Sequence, residues 1–224
     1  MTKEKIVLVG AGQHLHVVLY NMEMQGKYEA ACILDSDPSK KGRLIKGIEI
    51  AGDYSDLKAI EERFGTRKFF ISFGNMKYRR PVFQRFVQEG WEAVNIIHPQ
   101  AVISPEARLG KGILVECGCY ITPNPVIGDN VVINIGSQVN HDNILEDHVY
   151  IASGVILSGG VTIGENSLLD DGVIISLGNR VGKNCVIGAG AVVTKDIEDG
   201  KVAYGVPARV IRDNENSGGH HFFT

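Results

Sequence analysis

The stretch IGDNVVINIGSQVNHDNILEDHVYI, residues 127–151, decides the fold. Ile127, Ile133, Val139, Leu145 and Ile151 recur at every sixth residue. Extended from Ile97 to Val193, the same register meets seventeen positions without an insertion, and all are Ile, Leu or Val, although these make up just over a quarter of the chain (61 of 224). It fails at Trp91 upstream and at Asp199 downstream. A helix repeats at about 3.6 residues and a simple strand at 2, so a period of six fits neither as a single element. It fits a β-solenoid in which six residues make one short strand and one corner, and stacked coils pair their backbones ~4.8 Å apart. The aliphatic residue then points into a shared core. Residues just after it are often small or polar (Ser104, Gly110, Gly128, Asn134, Gly164, Gly182, Gly188), and these glycines are expected at corners, where they supply backbone conformations other residues resist.

Over about residues 95–212 this register resembles the hexapeptide-repeat acyltransferases. The resemblance implies that three hexapeptides form an 18-residue triangular coil. It also implies a left-handed coil, which periodicity does not show and the right-handed crossover rule does not predict. A non-enzymatic β-helix explains the core equally well but leaves the features below idle.

The first ninety residues read differently. Residues 5–9, KIVLV, form a continuous apolar run of the buried parallel-strand type, followed by Gly10-Ala11-Gly12-Gln13-His14 and an amphipathic stretch to Gly26. Further strands are expected over 30–34 and 68–73, and helices over 55–64 and 78–89, an alternation that implies a small Rossmann-like sheet. Ligands of such sheets gather beyond the carboxyl ends of the strands, where Gly10–His14, Asp35-Ser36-Asp37 and Gly74-Asn75 would lie. Gly10-x-Gly12 opening a helix suits a phosphate, but the dinucleotide fingerprint needs glycine where Leu15 stands, so no NAD is expected. Arg79 and Arg80 are candidates for bidentate pairing with a diphosphate. The domains are therefore expected to be α/β over 1–92, β-helix over 93–212, and a tail over 213–224 that holds His220 and His221.

Composition narrows the partners. With 23 Lys+Arg against 26 Asp+Glu the net charge is -3, which leaves no basic field for nucleic acid and no polybasic arm for a membrane. No run of 18 apolar residues occurs, and two lysines lead straight into the first strand, which favours the cytoplasm. Cys32, Cys117, Cys119 and Cys185 lack disulfide or zinc spacing, and no metal is expected.

Taken whole, a short Rossmann-like lobe followed by hexapeptide coils is similar to the PglD/NeuD-like sugar O- and N-acetyltransferases. Their first turn reads Gly-x-Gly-Gly-His or Gly-x-Ser-Gly-His; this chain keeps Gly10, Gly12 and His14 but has Gln13 in place of the last glycine. The resemblance implies that the lobe binds a nucleotide-linked amino sugar, with Gly12, Gln13, His14, Asp35, Ser36, Asp37, Gly74, Asn75 and Arg79 as its contacts.

Acetyl transfer from a thioester needs a base for the nucleophile's proton and a donor for the developing oxyanion, and histidine is the natural base. The family places that base in a His-Asp or His-Glu dipeptide, matched here by His141-Asp142. Neighbouring strand residues point to opposite faces, so Asp142 serves His141 only at a corner. The residue stacked one 18-residue coil after His141 is Gly159, whose uncovered amide suits an oxyanion, the role the family gives it. Asn134 matches a substrate-contacting asparagine of the family. Tyr150 stands where the family often has a second histidine. His148 shares 18-residue spacing with Asn130, Asn166 and Asn184, which argues for a structural turn.

Coenzyme A in the family lies along the groove between adjacent β-helices of a trimer. The residues this implies are Tyr150, Gly159, Lys183, Gly188, Ala189, Lys195, Pro207 and Arg209, the last two within the closing motif Gly205-Val206-Pro207-Ala208-Arg209. The expected protein is a homotrimeric acetyl-CoA-dependent N-acetyltransferase acting on a nucleotide-linked 4-amino-4,6-dideoxy sugar in bacterial surface-glycan assembly. O-acetylation of a sugar such as sialic acid, and a non-catalytic sugar-nucleotide-binding scaffold, are the alternatives.

Overall fold

The computed structural model describes residues 2–215, so the tail histidines His220 and His221 lie outside the described residues. The chain begins as a parallel α/β lobe. Strand β1 (Glu4–Val9) is apolar and buried from Ile6 to Val9, where both of its faces are covered. Ile6 and Leu8 share a core with Leu15, Val18, Leu19 and Met22 of α1 (His14–Gln25), while Val7 and Val9 pack with α2 (Leu57–Phe64) and α3 (Met76–Gln88) on the other side. Together with β2 (Tyr28–Leu34), β3 (Leu44–Ile45), β4 (Ile48–Gly52), β5 (Lys68–Ile71) and β6 (Glu92–Ala93), the sheet has the order β3-β4-β2-β1-β5-β6. Only the β3–β4 hairpin is antiparallel, and it has no counterpart in the sequence reading. The loops after β1, β2 and β5 gather at one edge, beside the point where strand order reverses.

From Ile96–Ile97 to Val192–Val193 the chain becomes two-residue strands separated by corners. Each strand pairs in parallel with those 18 residues away, as Leu114 does with Ile96 and Val132. The coils form a left-handed β-helix with three faces: an eight-stranded sheet containing Val132–Ile133, a six-stranded sheet containing Gln138–Val139 and a five-stranded sheet containing Ile144–Leu145. The register aliphatics from Val115 to Val193 are buried in one continuous core, with Ile97, Ile103 and Leu109 packed against it.

The corners correct the expected role of glycine. Gly110, Gly128, Gly164 and Gly182 are not in the left-handed region; a side chain there would collide with the next coil's backbone or its aspartate, so these glycines serve close stacking. Gly188 is likewise outside that region, its neighbour being Tyr204. The turn residues stand further along. One corner runs through Gly112 (φ 71°), Asn130 (56°), His148 (64°), Asn166 (58°) and Asn184 (54°), and another through Asn124 (67°), Asp142 (60°) and Gly160 (66°). Asn tolerates this conformation better than most residues. Asn130 Nδ2 meets His148 Nδ1 at 3.0 Å and Asn166 Nδ2 donates to Asn184 Oδ1 at 2.9 Å, so the first ladder also bonds through its side chains.

The lobe sits on the outer face of the eight-stranded sheet. Leu15 is fully buried and joins Val18, Leu19 and Met22 in one cluster with Ile96, Leu114, Val132 and Leu168. Burying a leucine contributes about 2 kcal/mol, so the residue that departs from the dinucleotide fingerprint helps dock the lobe. An Arg80–Glu165 ion pair at 3.1 Å ties α3 to the β-helix.

Candidate active site

His141 and Asp142 stand where the chain turns from the six-stranded to the five-stranded face. The left-handed backbone at Asp142 brings both side chains to one side, as a corner position requires. His141 Nδ1 lies 2.8 Å from Asp142 Oδ2, while Asp142 Oδ1 accepts from Asn124 Nδ2 at 3.2 Å, one coil earlier. The bond from His141, followed by that from Asn124, holds the Asp142 carboxyl below the usual carboxylate range. An ionised carboxylate only accepts, so the proton sits on Nδ1 and Nε2 presents its lone pair. The two side chains are 59% and 58% exposed, which leaves Nε2 accessible to a substrate.

The next coil supplies the floor. A Cβ at Gly159 would overlap the His141 ring, with Nε2 the nearest atom. Gly160 makes the turn and donates its amide to the His141 carbonyl at 2.9 Å. Among the described residues no acceptor takes the Gly159 amide. A base with its lone pair beside an open N–H is the minimal equipment for attack on a carbonyl.

A second polar group lies in the seam between lobe and β-helix. Tyr150 is 1% exposed, and its hydroxyl accepts from Asn134 Nδ2 at 3.1 Å. Burial pushes its phenol pKa up. The His14 ring centre is 6.3 Å from that of Tyr150, and a Cβ on Gly74 would come within 3.3 Å of the Tyr150 hydroxyl. Burial, helped by the positive charge of Arg79, lowers the His14 pKa to about 4, so this imidazole is neutral. Arg79 does not point outward to a diphosphate. It is 1% exposed, burial lowers its pKa to about 10, and Nη1 donates to the carbonyls of Ile71 (3.1 Å) and Phe73 (2.9 Å). It props the loop that carries Gly74 and Asn75.

Beyond the strand ends a cleft of about 470 Å³ brings Gly12, Asp35, Ser36 and Asn75 together with Gly10, Lys40, Tyr54, Phe73 and Tyr78. Gln13 is the exposed N-cap of α1, and Asp37 caps the turn at Pro38–Lys40 through Ser39 N (2.9 Å); neither lines the cleft. Lys40, Tyr54 and Tyr78 escaped the sequence reading. Their only signal was proximity to a strand end or to Gly74-Asn75.

The residues expected for the acyl donor are scattered over different corners. Lys183 pairs with Glu146 (3.4 Å) and Glu165 (3.7 Å) at the corner of His148. Gly188 and Ala189 follow a strand of the eight-stranded face, and Lys195 is exposed past the last six-stranded coil. Pro207 and Arg209 belong to the C-terminal hairpin, where Arg209 Nη1 donates to the Ala208 carbonyl at 2.9 Å. Leu177, two coils after His141 on the same corner and 72% exposed, went unnoticed although the 18-residue spacing points to it. The described residues hold no cluster suited to a metal and no helix able to cross a membrane. Within one chain the His141 corner is the one that does not flank the eight-stranded face carrying the lobe.

Residues 5–86 match the family model of the PglD N-terminal domain. Over 95% of this chain and 99% of the other, the fold is similar to a mutant form of GDP-perosamine N-acetyltransferase from Caulobacter crescentus in complex with CoA and GDP-perosamine, at 33% identity and a TM-score of 0.88. The acetyltransferase domain of PglB from Neisseria gonorrhoeae in complex with acetyl coenzyme A is 29% identical, with 94% of this chain and all of that one covered and a TM-score of 0.83. WeeI from Acinetobacter baumannii, at 25% identity, matches over the same shares with a TM-score of 0.83.

Proposed function

This chain belongs to the PglD/NeuD-like sugar acetyltransferases, and from that premise we propose that it acetylates the amine of a nucleotide-linked 4-amino-4,6-dideoxy sugar, with acetyl-CoA as co-substrate. The observation that carries the reading is His141 Nε2, held with its lone pair outward over Gly159. The neutral amine attacks the thioester carbonyl, the carbon–sulfur bond breaks, and the proton lost by nitrogen passes through His141 Nε2 to the departing thiolate. Asp142 orients the ring and stabilises its imidazolium, and the Gly159 amide holds the oxyanion. No covalent enzyme intermediate is required.

The acceptor's nucleotide occupies the cleft of the lobe, and Asn134, Tyr150 and His14 contact its sugar. Because the His141 corner of a chain faces away from its own lobe, a neighbouring copy completes each site. A homotrimer supplies three such pairings. The exposed apolar residues of the two uncovered faces, Val102 and Tyr120 on one and Val126 and Ile144 on the other, favour such an assembly. In this assembly the scattered residues Lys183, Gly188, Ala189, Lys195, Pro207 and Arg209 line the acyl-donor groove from two chains. The reaction belongs to bacterial surface-glycan assembly in the cytoplasm.

Thiol release from acetyl-CoA, measured across UDP-, GDP- and dTDP-linked amino sugars and free sialic acid, tests the reading. Turnover with a nucleotide-linked amino sugar is expected; turnover with sialic acid alone overturns it. His141→Ala loses on the order of 10²–10⁴ in kcat, and a near-wild-type rate removes His141 from the role.

A further inference from the structure

Asp35 and Lys40 form an ion pair in the wall of the lobe's cleft, with Lys40 Nζ 3.0 Å from Asp35 Oδ2. The acid is held independently of the lysine. Its Oδ2 also accepts the Ala11 amide at 2.7 Å, and its Oδ1 accepts the Asp37 amide at 2.9 Å. Lys40 can therefore turn part of its donor capacity elsewhere without leaving a buried carboxylate oxygen bare. Its side chain is 30% exposed against 11% for Asp35, so the ammonium sits on the solvent side of the pair.

An anion entering this cleft meets Asp35, and like charges repel more strongly in a partly desolvated cleft than in open water. A compensating cation is needed. Among the described residues Lys40 is the only basic side chain lining the cleft, whereas Arg79 is sealed beneath the Gly74-Asn75 loop with Nη1 bonded to backbone carbonyls. Gly12 leaves the floor open, since a Cβ there would meet nothing within 4 Å.

We infer that Lys40, aimed by Asp35, is the cation that reads the diphosphate of the acceptor. This rests on the acceptor being nucleotide-linked, and it moves charge recognition from α3 to the loop after β2. A lysine ammonium has three donors, enough to keep Asp35 and take a phosphate oxygen at once.

Calorimetric titration of the full chain with GDP, UDP and dTDP, at several salt concentrations, tests this with wild type, Lys40→Gln and Lys40→Arg. The diphosphate that wild type binds best should bind Lys40→Gln roughly tenfold to a hundredfold more weakly, with a shallower dependence of log Kd on log salt. Lys40→Arg should recover most of the loss. In steady state, Lys40→Gln should raise KM for the nucleotide sugar while KM for acetyl-CoA stays at its wild-type value.

In the titration, three results overturn the inference: equal affinity in wild type and Lys40→Gln, weakening with an unchanged salt slope, or no diphosphate bound by wild type. Turnover of a nucleotide sugar with Lys40→Gln indistinguishable from wild type defeats Lys40 alone. Turnover of free sugars only defeats the nucleotide-linked reading.

Discussion

His141 Nε2 lies so close over Gly159 that residue 159 has no room for a side chain, although its backbone is outside the left-handed region and would accept one. The glycine is thus required by the imidazole of the preceding coil. Gly159→Ala should fold, because the ring is exposed enough to swing away, but the swing misplaces the base. A loss on the order of 10² in kcat is expected from steady-state kinetics, with the melting temperature little changed. An unchanged kcat would separate Gly159 from the chemistry.

His148 is a turn residue by the same geometry that makes its neighbours asparagine. Its φ of 64° and its bond with Asn130 belong to a corner remote from His141. Holding alanine in that conformation costs about 1–2 kcal/mol, so His148→Ala should lower unfolding free energy by that amount or slightly more. His148→Asn should keep both stability and acetyl transfer. A large loss of kcat in His148→Asn would contradict a purely structural role.

Arg79 is a prop. Its removal leaves the carbonyls of Ile71 and Phe73 without their guanidinium donor and opens a void beneath the Gly74-Asn75 loop. Arg79→Ala should destabilise the fold by roughly 2–5 kcal/mol in urea unfolding. Arg79→Lys should recover only part, since one ammonium does not reproduce the planar fork.

His14 makes the fold sensitive to acid. Its folded pKa of about 4 lies below the unfolded value of 6.5, because burial disfavours the imidazolium. Between these values the unfolded chain binds more protons, so stability falls as pH drops from about 6.5 towards 4, with an upper bound on the order of 3 kcal/mol. His14→Gln should flatten that part of the curve of unfolding free energy against pH. An NMR titration placing the His14 midpoint near 6.5 would remove the effect.

Much of this was legible in the sequence because a β-helix turns spacing into position. The six-residue register fixed which residues face the core, and the 18-residue coil placed Gly159 over His141 and joined His148 to Asn130, Asn166 and Asn184. The same arithmetic already sets Lys183 and Gly188 on other corners than His141. The lobe was less readable. Whether Arg79 points outward or inward depends on how α3 seats against β5, and no local pattern encodes that. Nor did the pattern after β2 separate Asp35, which is engaged by two amides, from Lys40, which is partly free of the acid it touches. The glycines after each core aliphatic were placed correctly and explained wrongly, because two adjacent backbones pressed together leave the same compositional mark as a strained turn.

A chain built this way has something like a reading frame. Deleting one residue between Ile97 and His141 would turn every later core residue outward and destroy the stack. Inserting six would keep the interior intact but advance His141 by one face, to the edge of the sheet that carries the lobe. Only insertions of eighteen, or loops bulged out at a corner, return the base to its own edge. The β-helix therefore tolerates changes of length in quanta, and the quantum that preserves chemistry is three times the quantum that preserves the fold.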